Sequence, residues 1–116
     1  MSVVIYHNPR CSKSRQTLAL LEEKGITPEI IKYLDDAPSV DDLKTLFSQL
    51  GLSEVRGMMR TKEALYKELN LGNADLSDDQ LFEAMSQNPK LIERPIVVAN
   101  NTARHGRPPE QVLEIL

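Results

Sequence analysis

The sequence predicts an α/β fold: a four-stranded mixed sheet flanked by helices, with a helical insertion between its second and third strands. Three observations predict it. Val3-Val4-Ile5-Tyr6 runs without a polar break, as a strand covered on both faces does. A helical pattern and then a second strand-like run follow at short distance, which makes a βαβ unit with a right-handed crossover. Strand character then disappears until Pro95-Ile96-Val97-Val98-Ala99, beyond a long stretch of helical periodicity.

In chain order, Asn8-Pro9 stops the first strand, because Pro9 has no N–H and pushes Asn8 out of helical geometry. From about Cys11 the pattern is helical, with Leu18, Leu20 and Leu21 on one face and Lys24-Gly25 as the stop. Glu29-Ile30-Ile31-Lys32-Tyr33-Leu34 has the β-branched and aromatic content of the second strand. Ser39-Val40-Asp41-Asp42 reads as a capping box opening a helix that carries Leu43, Leu46, Phe47 and Leu50 and closes at Gly51. From Val55 to Leu71 the pattern is mostly helical, with a break near Arg60 signalled by Gly57 and Thr61. Ser77-Asp78-Asp79-Gln80 is a second capping box, and its helix ends near Asn88-Pro89. Asn100-Asn101 turns the third strand into a short fourth, Thr102-Ala103-Arg104-His105, since Asn tolerates positive φ. Gly106-Arg107-Pro108-Pro109 leads to a terminal helix carrying Val112, Leu113 and Leu116, with Pro109 in its first turn. The expected organisation is one domain over 1–116 with the insertion at about 39–90.

Composition narrows the function classes. A formal charge of -3 argues against general nucleic-acid binding, so any anion site is local. No run approaches the length of a membrane span, and the opening residues read as strand, not as a secretion signal. One cysteine cannot form an intramolecular disulfide, which fits a reducing compartment and points to a cytoplasmic protein. One cysteine and two separated histidines offer no recognised metal-ligand cluster, so no metal is expected.

The chemistry concentrates at Cys11, where a helix begins. First-turn amides have no intrahelical acceptors and the helix dipole is positive there, so the position stabilises a thiolate and attracts an oxyanion. Arg10, Lys13 and Arg15 add charge, and Ser12 and Ser14 add hydroxyls. The bland alternative is a small buried hydrophobe, but flanking basic and hydroxyl residues favour reactivity. Arg60 alone reads as an exposed helix charge. Arg107 sits on a loop able to carry a side chain to a site, with Arg104 as its competitor.

The element order, βαβ, insertion, ββα, is a thioredoxin-like arrangement, in which ligands gather beyond the C-terminal end of the first strand. With it, His7-Asn8-Pro9-Arg10-Cys11, Ser14-Arg15 with Thr17-Leu18, Arg60, Arg94-Pro95-Ile96-Val97-Val98 and Arg107-Pro108 make the chain resemble the glutaredoxin-coupled arsenate reductases of the ArsC family, over essentially its whole length. The resemblance implies that Cys11 is the nucleophile on arsenic and that Arg60, Arg94 and Arg107 bind the oxyanion. It implies that His7, Ser14 and Arg15 tune the thiol and that the Arg94–Pro95 bond is cis. It also implies arsenate as substrate, glutathione as co-substrate and glutaredoxin as partner, with no bound cofactor, in a monomer. Ser12-Lys13 stands where family members often carry Gly-Thr after the cysteine. Two alternatives stay open: another glutathione-linked thiol redox enzyme on this fold, or an Spx-like protein-binding regulator. The redox switch of such regulators is absent here, because Ser14 occupies the place of its second cysteine.

Overall fold

The computed structural model describes residues 2–116, which form two compact units. One is built from the segments up to Asp36 and from Arg94 onward; the other is Ala37–Glu93.

The first unit carries the sheet. Its strands are β1 (Val3–Tyr6), β2 (Glu29–Ile31), β3 (Ile96–Ala99) and β4 (Thr102–His105), and the helix α1 (Ser12–Glu23) joins β1 to β2. The order across the sheet is β2-β1-β3-β4. β1 pairs parallel with β2, Ile5 facing Ile30, and antiparallel with β3, Ile5 facing Val97. This is the mixed four-stranded sheet that the sequence predicts. The β1 face is less enclosed than an uninterrupted apolar run implies: Val3 and Ile5 are buried, whereas Val4 and Tyr6 are half-buried. Val3, Ile5, Leu21, Val97, Ala99, Val112 and Ile115 form one apolar cluster that fastens α1 and the C-terminal turns to the sheet. Fully burying a side chain such as Ile5 contributes about 1.5–3 kcal/mol.

Three expectations need correction. β2 stops at Ile31, because the Lys32 carbonyl accepts from the amides of both Asp35 and Asp36 and turns the chain. Pro95 precedes β3 instead of opening it. The terminal helix is a run of 3-10 turns, Pro109–Ile115, whose buried residues are Pro109, Val112 and Ile115; Leu113 is exposed. The Asn-Asn turn holds as predicted, with φ of 53° at Asn100 and 60° at Asn101. Asn100 Nδ2 also donates to the Ile115 carbonyl at 2.8 Å.

The second unit is helical: α2 (Val40–Leu50), a 3-10 turn (Val55–Met58), α3 (Ala64–Glu68) and α4 (Asp78–Gln87). Both capping boxes form. Ser39 Oγ accepts from Asp42 N–H at 3.1 Å, and Ser77 Oγ accepts from Gln80 N–H at 3.2 Å. Gly51 ends α2 at φ 69°, in the left-handed region that glycine enters without a Cβ penalty. Phe47 and Phe82 meet edge to face, with ring centroids 5.8 Å apart.

Candidate active site

The turn after β1 is held at each residue. His7 N–H donates to the Ile31 carbonyl at 2.8 Å, extending the parallel ladder past the strand. The Asn8 carbonyl accepts from Cys11 N–H at 3.0 Å, and Asn8 Oδ1 accepts from Arg10 N–H at 3.0 Å. Pro9 suits this turn because its ring presets φ. From below, Arg15 Nη1 donates to the Pro9 carbonyl at 2.9 Å.

Cys11 is the N-cap of α1, in extended geometry at φ -92° and ψ 125°. Most caps place an oxygen over the first-turn amides; here the residue is a half-buried thiol. Burial alone raises its pKa, but opposing effects win and hold it below the ordinary value. They are the Ser14 backbone amide, the positive charge of Arg94, the Lys13 amide and a hydrogen bond from the Arg94 side chain. The thiolate is therefore the favoured form over a wider pH range than for a free cysteine.

His7 and Ser14 join the strand end to the helix. His7 Nδ1 lies 2.7 Å from Ser14 Oγ, which also accepts from Asn8 N–H at 3.0 Å. Both side chains are buried. Burial first, then the charges of Lys32 and Arg15, lower the His7 pKa, so the ring is neutral near pH 7.

Arg94 and Arg107 enter from the two proline loops. Arg94–Pro95 is cis, as the resemblance implies, and Arg107–Pro108 is cis as well, which the sequence did not announce. Arg107 Nη1 donates to the Arg94 carbonyl at 3.4 Å. Between them, Gly106 N–H donates to the Pro95 carbonyl at 3.0 Å, and the Gly106 carbonyl accepts from Thr17 Oγ1 at 3.5 Å. Thr17 also donates to the Lys13 carbonyl at 2.8 Å. The loops that carry both arginines are thus tied to the helix that Cys11 opens.

A thiolate-favouring N-cap cysteine with a guanidinium beside it suits nucleophilic attack on a tetrahedral oxyanion. The ArsC family pattern matches residues 6–115. The chain belongs to the ArsC family. It is 60% identical over 116 residues to a protein named arsenate reductase from Haemophilus influenzae, with 100% of each chain covered. Its fold matches the solved structure of an arsenate reductase from Vibrio cholerae with a TM-score of 0.99 at 74% identity, covering 100% of this chain and 98% of that one. A putative arsenate reductase from Yersinia pestis matches with a TM-score of 0.95 at 66% identity, covering 98% of this chain and 100% of that one.

In this ArsC-family protein the first unit brings together Cys11, His7, Ser14, Arg15, Arg94 and Arg107 around the ends of β1, α1 and the proline loops. Arg15 acts on the turn through Pro9 and on His7 by charge, and is not among the groups that lower the thiol pKa. Arg60 belongs to the second unit, in the loop after Met59. Its N–H donates to the Leu91 carbonyl at 2.7 Å, and its guanidinium lies 3.6 Å from Glu63. Arg104, the competitor of Arg107, pairs with Glu114 at 3.1 Å and donates to the Ala103 carbonyl, so it serves the C-terminal turns. Sequence reasoning names Thr17 within the motif and Gly106 within the loop but gives neither a role in the site. Glycine directly before Arg-Pro was the available signal.

Proposed function

We propose that this protein reduces arsenate to arsenite, with Cys11 as nucleophile and glutathione and glutaredoxin as the external reductants. The observation that carries the reading is the Arg94 guanidinium acting on the Cys11 sulfur at the start of α1. Charge at that place stabilises the thiolate before reaction and the oxyanion during it. The arsenate reductase names of relatives matching the full length support the substrate.

In the proposed reaction the thiolate forms an S–As bond, and an arsenate hydroxyl leaves as water after taking a proton. A glutathione thiolate then attacks the Cys11 sulfur. An S–S bond forms, the S–As electron pair passes to arsenic, and As(V) leaves as arsenite. Glutaredoxin reduces the mixed disulfide and restores the thiol. With a single cysteine in the chain, the second sulfur must come from outside.

Arg94 and Arg107 are assigned to the oxyanion and His7, Ser14 and Arg15 to holding and tuning the turn. Arg60 is assigned to the oxyanion from the family resemblance alone. The test is arsenate-dependent NADPH consumption by the purified protein with glutathione, glutaredoxin and glutathione reductase. Turnover that disappears in Cys11→Ser is the expected result. Equal turnover in that variant refutes the nucleophile, and no turnover in the unmodified protein refutes the reaction.

A further inference from the structure

Beyond the C-terminal ends of the parallel strands β1 and β2 lies a cavity of about 390 Å³, lined by His7, Asn8, Pro9, Arg10, Lys32, Leu34 and Asp35. It is in the place where α/β sheets bind ligands, and one wall is the turn that leads directly into Cys11. Three charged side chains line it: Arg10, Lys32 and Asp35. Among the described residues, none of the three side chains has an ion-pair or hydrogen-bond partner. Leu34, 41% exposed, supplies an apolar wall.

We propose that this cavity binds the thiol co-substrate, a glutathione-class tripeptide, and so sets the side from which sulfur approaches Cys11. The inference rests on the reductase reading above. Two positive groups and one negative group are the mirror of such a ligand, which carries two carboxylates and one ammonium at neutral pH. Arg10 and Lys32 take the carboxylates by charge-assisted hydrogen bonds, and Asp35 takes the ammonium. Size fits as well: an extended tripeptide spans about 10 Å, and the cavity wall includes Arg10, the residue directly before Cys11. Inorganic oxyanions offer nothing for Asp35 and Leu34, which argues against a second oxyanion site. The neutral His7 ring at the cavity wall adds no competing charge.

The experiment is an amide NMR titration of the full chain with S-methylglutathione, which cannot react, together with separate KM values for glutathione and arsenate in the coupled assay. Shifts confined to residues 7–10 and 32–35 are expected. Lys32→Gln and Arg10→Gln should each weaken the titration and raise the glutathione KM about tenfold, and Lys32→Gln should leave the arsenate KM within about twofold. Asp35→Asn should act in the same direction. Three results overturn the site: shifts that map elsewhere or are absent, equal shifts with acetate or phosphate, or an unchanged glutathione KM in both cation variants. If any of these accompanies normal arsenate turnover, the cavity assignment falls and the reductase reading stands. Specific shifts in the cavity without arsenate turnover leave the tripeptide site standing and remove the reaction.

Discussion

Gly106 lies so close to Thr17 that a β-carbon on it would overlap the Thr17 hydroxyl and come within 2.8 Å of Pro95 Cγ. These are α1 and the cis-proline loop, the two supports of the site. Gly106→Ala should therefore destabilise the protein by about 1–3 kcal/mol, the usual range for overpacking, as read by urea denaturation. Thr17→Ala removes the obstructing hydroxyl and methyl, so the double variant should recover part of that loss. If the alanine variant matches the unmodified protein in stability, the close packing is without consequence.

Removing the Arg94 charge should leave burial and two backbone amides to set the Cys11 pKa. The pH midpoint for iodoacetamide alkylation should lie below that of an ordinary cysteine in the unmodified protein and move upward in Arg94→Ala. The direction follows from the sign: a nearby cation favours the anionic form, and its loss favours the thiol. An identical midpoint in both proteins would detach Arg94 from the sulfur.

Arg94→Lys keeps the charge but loses the planar fork. The arsenate KM should rise about tenfold or more, while the alkylation midpoint moves less than in Arg94→Ala. Arg60→Ala gives a sharper contrast, because an oxyanion role predicts a raised arsenate KM with an unmoved midpoint. Unchanged kinetics in Arg60→Ala would leave that side chain with its Glu63 partnership alone.

Buried neutral His7 makes stability depend on pH. Its pKa is lowered from 6.5 in the folded protein, so below about 6.5 the unfolded chain takes up a proton that the native ring does not. That contribution costs stability as pH falls through 6.5 and levels off below the folded pKa. His7→Asn should flatten the slope of unfolding free energy between about pH 7.5 and 5.5 relative to the unmodified protein. Parallel slopes would show that the ring titrates as freely folded as unfolded.

Each capping serine is a local test. Ser39→Ala removes an acceptor for Asp42 N–H and should cost about 1 kcal/mol, measured by thermal or urea unfolding. Ser39→Asp should retain most of the stability, since its carboxylate caps the same amide.

The capping boxes were legible because their signal spans four adjacent residues. So were β1, the Asn8–Cys11 turn and the Asn100-Asn101 hairpin, where turn chemistry is written in neighbouring side chains. The end of β2 was less so: Tyr33 and Leu34 look like strand residues, yet the double acceptance at the Lys32 carbonyl bends the chain before them. The C-terminal segment was misassigned in kind, because 3-10 and α turns use the same residues and differ by one position in the hydrogen bond. In the site, Cys11 and Arg94 announced themselves through a helix start and a following proline. Thr17 and Gly106 did not, because their contact is a meeting of two segments distant in sequence.

The antiparallel pairing of β1 with β3 sets the timetable of the reactive thiol. Val3 faces Ala99, and Arg94 lies just before the β3–β4 hairpin, so the first-turn amides and the Arg94 charge that lower the Cys11 pKa are made at opposite ends of synthesis. A ribosome-bound chain that has emerged only through α1 has its cysteine and the first-turn amides but not the Arg94 guanidinium. Without the Arg94 charge its sulfur keeps a pKa closer to the ordinary value until the last strands join the sheet.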